Sequence, residues 1–184
     1  MTRIRFLSGI TAALFLLFVW VFFSIILTKG IIPSPIEVVK AFHLKAFYPH
    51  FLVSLARVFV SLIIAILAAV PLGLFLGQNP EWDRWIAPVI FLTYPVPKIV
   101  FLPILFILLG IGNISKIALI ALVVFYQILV TTRDGSRSVK KPFIDALVTL
   151  GAKPLDIYQH VIVPACLPAI LTSLRISIGT SVAI

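Results

Sequence analysis

Acidic residues are scarce in this sequence. Six Asp and Glu stand against fifteen Lys and Arg among 184 residues, and charged residues of both signs total 11%. A soluble domain carries roughly a quarter. With 61% hydrophobic residues and a mean hydropathy of +1.20, the chain is neither a soluble globule nor a disordered one, because disorder requires low hydrophobicity. Cysteine is reduced to Cys166, which excludes a disulfide framework and any zinc site built from several thiolates. The three histidines, His43, His50 and His160, are isolated, and no H-E-x-x-H occurs. No metal, cofactor or catalytic residue is therefore expected. A membrane-embedded enzyme, which would need clustered His, Asp or Glu, is the least favoured class. A phosphate-binding G-x-x-x-x-G-K-[ST] loop is also missing, so ATP hydrolysis by that route is not expected of this chain. Alternating strands are missing too, which excludes a membrane barrel.

What the sequence has is long apolar runs. At about 20 residues per span, the length allows about five spans in one transmembrane domain, 1–184, of an all-α, polytopic fold. The first, 6–28, follows Arg3 and Arg5. It is too long for a signal peptide's apolar region and ends without a small-residue cleavage pattern, so it reads as a retained helix with its N-terminus inside. Residues 29–50 read as an outside loop. Within it Ser34-Pro35-Ile36-Glu37 has the form of a capping box with proline at the first helical position. His43 and His50 fall in the same loop. The second span is 51–77, interrupted by Arg57 near its outer end, and 78–84 reads as a short inside turn with Trp82 and Trp85 at the interface. The third, 86–109, is broken near 95–97, where Tyr94-Pro95-Val96-Pro97 disturbs a helix. Gly110 to Ser115 is an outside turn. The fourth span is 117–132 and the fifth 164–184.

Between the last two lies the polar stretch 133–163, with Arg133, Arg137, Lys140, Lys141 and Lys153. Together with Arg3, Arg5 and Arg84 this places eight cations inside, against Lys29, Lys40, Lys45 and Lys116 outside. That is the bias of a membrane protein with a basic cytoplasmic side, so the net charge of +9 needs no nucleic acid. Phe143, Leu147 and Leu150 recur on one helical face. Gly151 suits a helix C-cap. Pro154 and Asp156 suit a new helix start, Leu155, Tyr158 and Ile162 form the next apolar stripe, and Pro164 is expected to stop that helix. The pattern by itself fits a connector lying on lipid and a docking element for a soluble partner equally well.

The spacing of Asp145-Ala146-Leu147, Gly151 and Val161-Ile162-Val163-Pro164 resembles the cytoplasmic signature of permease subunits of ATP-binding-cassette importers, E-A-A, three residues, G, nine residues, I-x-L-P. Asp145 stands for Glu, Leu147 replaces the second Ala, and Val161 and Val163 are apolar equivalents. Pro33 to Val38, Ser54 to Val58, Pro71-Leu72-Gly73, Pro95 to Lys98, Leu102-Pro103, Gly110 to Gly112 and Ser173-Leu174-Arg175 resemble the branch that carries nitrate, aliphatic sulfonates, taurine and bicarbonate, with relatives for pyrimidine precursors of thiamine. The resemblance implies the type I importer permease fold in a prokaryotic cell membrane. Such permeases have about six spans, so a sixth is expected beyond this sequence. It also implies docking of cytoplasmic ATPase subunits through 143–164, a second permease copy forming a homodimer, and an extracytoplasmic solute-binding protein. Asp145, Ala146, Leu147, Gly151, Val161, Val163 and Pro164 would be the coupling residues.

Arg57, Lys98 and Arg175 fall in or beside apolar spans, while all six acids fall in the expected loops. Intramembrane charge usually faces a cavity or a partner, and three unneutralised cations suit a pathway for a small anion such as a sulfonate, taurine or nitrate. Snorkelling to the interface is the alternative for Arg57 and Lys98, and pairing outside this sequence for Arg175. A neutral or cationic pyrimidine substrate and a membrane scaffold without a pathway remain open. Pro71, Gly73 and Gly77 are expected to ease helix packing, and Cys166 to be a small buried apolar group.

Overall fold

The computed structural model describes residues 2–27, 31–42 and 44–184, and their side chains except at 2–8 and 44–46. Lys29 and His43 lie outside the described residues, as do the side chains of Arg3, Arg5 and Lys45. The described residues are helical, with no strand among them. The chain divides into two compact units, 1–52 and 53–184.

The first unit holds α1 (Thr2–Ile26), whose 18-residue stretch Gly9–Ile26 is apolar and long enough to cross a membrane. Trp20 donates its indole N–H to the Pro33 carbonyl at 3.1 Å. There α2 (Pro35–Ala41) begins with the expected capping box. The Ser34 hydroxyl accepts from the Glu37 N–H at 3.3 Å, and the Glu37 carboxylate accepts from the Ser34 N–H at 2.8 Å. The next helix, α3 (Leu44–Gln78), starts earlier than the expected span. Phe47 and Phe51 stack one turn apart, with ring centroids at 5.7 Å, and so extend the helix into the expected loop.

In the second unit, the rest of α3 packs with α4 (Pro80–Thr93), α5 (Leu102–Leu109), α6 (Asn113–Arg137) and α9 (Val163–Val182). Two clusters make the core. One joins Ala65, Ala69 and Leu76 of α3 to Ile90 of α4 and to Val124, Ile128 and Leu129 of α6. The other joins Leu74 of α3 to Ile162, Cys166 and Ile170. The face of α3 turned to α6 is a stripe of small residues four apart: Ser61, Ala65, Ala69, Gly73 and Gly77. Small residues let membrane helices approach closely where no hydrophobic force drives them together. The approach is close: a Cβ at Gly77 would lie 2.5 Å from the Arg133 carbonyl oxygen and the Ser136 Cβ, and one at Gly73 would lie 2.8 Å from the Thr132 Cβ. Polar bonds lace the same seam. Ser61 donates to the Ile117 carbonyl at 3.0 Å, Ser136 donates to the Leu74 carbonyl at 2.9 Å, and the Gln78 amide donates to the Ser136 carbonyl.

Three expectations change. The expected turn 78–84 shrinks to Asn79, because Pro80 starts α4 and places Glu81 and Asp83 in its first turn, where the helix dipole favours acids. The fourth helix runs to Arg137, so Arg133 and Asp134 are helical rather than in a loop. Pro164 does not stop its helix. Instead α8 (Pro154–Ile157) continues through a π-turn, Tyr158–Ile162, into α9. Pro164 has no N–H for a helical bond. The widened turn just before it lets the Val163 N–H reach the Tyr158 carbonyl.

The break expected near 95–97 is present. Helix α4 ends at Thr93, a 3₁₀ turn covers Lys98–Phe101, and α5 follows. The two halves are bent by 85°. By length and composition, four helices among the described residues are able to cross a membrane, or five if this bent pair is one span.

Candidate functional site

Residues 138–163 leave α6 and return into α9. Lys141–Thr149 forms α7, which ends in a Schellman motif. Gly151, at φ +79°, donates to the Val148 carbonyl at 2.9 Å, and Ala152 donates to the Leu147 carbonyl at 3.0 Å. No atom crowds the Gly151 Cβ position, so glycine is required by conformation and not by space. After the turn, the Asp156 carboxylate accepts from the Lys153 N–H at 2.9 Å and starts α8. Of the apolar face expected for this segment, Phe143 and Leu150 are exposed and Leu147 is half-buried; Val148, outside that face, is exposed, as are Asp145 and Ala146. On the return, Val161 is half-buried and Val163 and Pro164 are exposed, next to the buried Ile162. The two halves of the spaced motif thus occupy two places, α7 with the turn that ends it, and the π-turn with the first residues of α9.

The end of α6 is tied down by a charge cluster that the spacing of the sequence did not reveal. Asp83 of α4 and Arg133 of α6 are buried, with 8% and 5% of their surface exposed. The guanidinium grips the carboxylate with two nitrogens, Nε on Oδ1 and Nη2 on Oδ2, the latter at 2.6 Å. Arg133 Nη1 also donates to Asp134 at 2.9 Å, its guanidinium carbon lies 5.4 Å from the Phe91 ring centre, and the exposed Arg137 reaches Asp83 at 3.5 Å. Glu81, Asp83 and Asp134 therefore lie in α4 and α6, against the expectation that every acid falls in a loop. Fifty residues separate Asp83 from Arg133, and the only prior signal was two opposite charges at the predicted inner ends of two spans.

The three candidate pathway cations do not converge. Arg57 of α3 is half-buried and donates its Nε–H to the Asn113 side-chain oxygen at 2.9 Å, at the N-terminal end of α6. Lys98 is buried at the break after α4. Its ammonium donates to the carbonyls of Thr93 and Tyr94, the latter at 2.6 Å, which caps the open C-terminal end of α4. It also lies 4.4 Å from the Tyr126 ring centre. Beside it a cavity of about 280 Å³ is lined by Thr93, Val96, Lys98, Phe101, Leu122 and Tyr126. Arg175 is exposed on α9, on the side away from the buried face of Cys166, Ile170, Ser173, Ser177 and Ser181, and makes no ion pair among the described residues. Cys166 is fully buried, as expected. No group of three or more His, Cys, Asp and Glu side chains suited to a metal occurs among the described residues.

The family profile described as binding-protein-dependent transport system inner membrane component matches residues 69–183. The taurine transport system permease protein TauC of Escherichia coli (strain K12) is 38% identical over 132 residues, which is 72% of this chain and 48% of TauC. The formylaminopyrimidine transport permease protein ThiX of Halalkalibacterium halodurans is 30% identical over 155 residues, 83% of this chain and 62% of ThiX. The chain thus spans roughly half the length of the curated relatives it matches. A chain of the MetNI methionine ABC transporter, solved in inward-facing conformations, superposes with a TM-score of 0.63 at 22% identity, covering 71% of this chain and 67% of that one.

Proposed function

This chain belongs to the family of binding-protein-dependent transport system inner membrane components, and from that premise we propose that it is the permease subunit of an ATP-driven importer. Its spans form part of the translocation pathway, and α7 docks on a cytoplasmic ATPase subunit. ATP hydrolysis belongs to that partner. The N-terminus lies in the cytoplasm, a second copy completes the pathway, and an extracytoplasmic binding protein delivers substrate.

One observation carries this reading: α7 and its end leave Phe143, Val148 and Leu150 exposed, and the helix is ended by the Gly151 turn at the spacing of the family signature. Phe143 and Leu150 would enter a groove on the ATPase, and Asp145 would pair with a basic residue there. Ala146 and Leu147 form the rest of the contact helix. Val161 in the π-turn, with Val163 and Pro164 at the start of α9, would pass its displacement into that helix. ATP-driven closure of the ATPase pair then rocks the spans between inward and outward states.

The substrate we propose is a small anion such as a sulfonate, taurine or nitrate. Fifteen cations against six acids, with Lys98 buried and Arg175 unpaired among the described residues, favour negative charge in the pathway. The likeness to TauC supports it. The likeness to ThiX supports a second reading, a pyrimidine precursor of thiamine.

The test is to tag the full-length chain, purify it gently from its native membranes, and identify its companions by mass spectrometry. A co-purifying ATPase and solute-binding protein are expected, and the binder's ligand distinguishes the two substrates. Gly151→Pro and Asp145→Lys should each uncouple ATP hydrolysis from transport. Full ATPase binding and transport in both variants would refute the docking role of α7.

A further inference from the structure

We propose that the cavity beside Lys98 is a substrate subsite for a compact organic anion with one negative head on a short apolar body. The inference deepens the importer reading and rests on it for the direction of transport, but not for binding.

Three features coincide at this cavity. The first is depth. Tyr126 and Leu122 lie near the middle of α6, and Tyr126 is about 20 Å along the axis from Asn113 and about 17 Å from Arg137 at 1.5 Å per residue. The cavity is therefore halfway along an apolar helix long enough to span. The second is the helix break. Thr93, Val96, Lys98 and Phe101 come from the bend where α4 gives way to the 3₁₀ turn. Irregular backbone at membrane depth is tolerated where it is buried in protein or lines a cavity, and broken helices of transporters hold their ligands at such places. The third is charge. Lys98 is 9% exposed and lines the cavity.

An ammonium has three N–H groups. Two of them bond the Thr93 and Tyr94 carbonyls. The ammonium also lies 4.4 Å from the Tyr126 ring centre, a contact worth about 0.5–2 kcal/mol. A charge-assisted hydrogen bond to an anion is roughly twice as strong as a neutral one, and so can displace the ring contact while leaving the α4 cap in place. Apart from Thr93, whose hydroxyl donates to the Val89 carbonyl at 2.6 Å, the rest of the lining is apolar: Val96, Phe101, Leu122 and the ring of Tyr126. A bare inorganic anion would leave that surface dry and unfilled. A head group on Lys98 with two or three carbons against Leu122 and Phe101 fills it. The volume, about 280 Å³, admits a small organic anion.

The experiment uses thiol protection in the full-length chain within its native complex, with ethanesulfonate as probe. Leu122→Cys places a thiol in the cavity wall, and mass spectrometry separates its N-ethylmaleimide adduct from that of the buried Cys166. Ethanesulfonate at ten times its dissociation constant should slow labelling about tenfold. Ethyl methyl sulfone, of similar shape but uncharged, should not. Lys98→Gln should abolish the protection and Lys98→Arg should keep it. Equal protection by sulfonate and sulfone, protection that survives Lys98→Gln, no protection by ethanesulfonate, or a thiol that never reacts would each overturn the site. The sulfonate–sulfone comparison needs no change at Lys98, so it stands even if Lys98→Gln fails to fold. Protection without a co-purifying ATPase would sink the importer reading and leave the subsite. The ATPase without protection would do the reverse.

Discussion

Asp83→Asn should be among the most damaging single substitutions in this chain, although it removes only a charge. The carboxylate is held by two nitrogens of Arg133, with side-chain exposures of 11% and 6%. Removing one member of a buried pair costs about 3–5 kcal/mol, because the survivor is left charged and poorly solvated. Here Arg133 keeps one carboxylate, Asp134, whose side chain is 61% exposed and therefore well screened. That places the loss near the lower end, about 3 kcal/mol. For a chain of this size each kcal/mol moves the midpoint by about 2–4 °C, so a fall of about 6–12 °C is expected. The assay is thermal unfolding of the full-length chain in detergent, followed through tryptophan emission, since Trp82 and Trp85 flank the site in sequence. The decisive comparison is the double variant Asp83→Leu with Arg133→Met. Replacing both charges by apolar groups removes the uncompensated ion, and such swaps are often neutral or stabilising. The double variant should therefore be more stable than Asp83→Asn. A shift below about 2 °C for the single variant, or a double variant as damaged as the single, would refute the reasoning.

The α3–α6 seam gives a second test. Gly77→Ala pushes a Cβ to 2.5 Å from the Arg133 carbonyl oxygen and should cost at least the 1–3 kcal/mol typical of overpacking. Gly9→Ala in α1, with nothing within 4 Å, should be neutral or stabilising, by up to about 1 kcal/mol. The same thermal assay ranks the two, and equal midpoints would contradict the close approach. At Gly151 the cost is conformational: alanine at φ +79° should lose about 1–2 kcal/mol locally. That loss is read as faster hydrogen exchange at the Gly151 and Ala152 amides with an unchanged global midpoint. Unchanged exchange would contradict the Schellman turn.

Local signals were legible and distant pairings were not. Ser34 to Glu37 announced a capping box, Gly151 a helix end, and Tyr94 to Pro97 a break, because each depends on residues within one turn of each other. The faces of the spans were hidden for a physical reason. When a helix is apolar all round, hydropathy carries no information about which side packs. The packing side of α3 is marked by size instead, at Ser61, Ala65, Ala69, Gly73 and Gly77, and of these only the glycines stood out. The π-turn was hidden as well, since Pro164 reads as a stop unless the preceding turn is known to widen.

Arg57, Lys98, Asp83 and Arg133 follow one rule that the sequence stated only in part. Arg57 lies beside the first residue of α6, Lys98 beside the last turn of α4, and Asp83 in the first turn of α4 facing Arg133 near the end of α6. Each charge meets a helix terminus or break, where free backbone groups, a side-chain amide or an opposite charge are at hand. Counting acids suggested three unneutralised cations. The structure satisfies two of them with neutral oxygens, Asn113 for Arg57 and two carbonyls for Lys98. Neutral oxygens solvate a cation without cancelling its charge. Lys98 therefore remains a positive site within an apolar surround, whereas Arg133, matched by Asp83 and Asp134, does not. Of Lys98 and Arg133, the one halfway along α6 beside the cavity is the one still able to attract an anion, and the one near the C-terminal end of α6 serves to hold the helix that leads into α7.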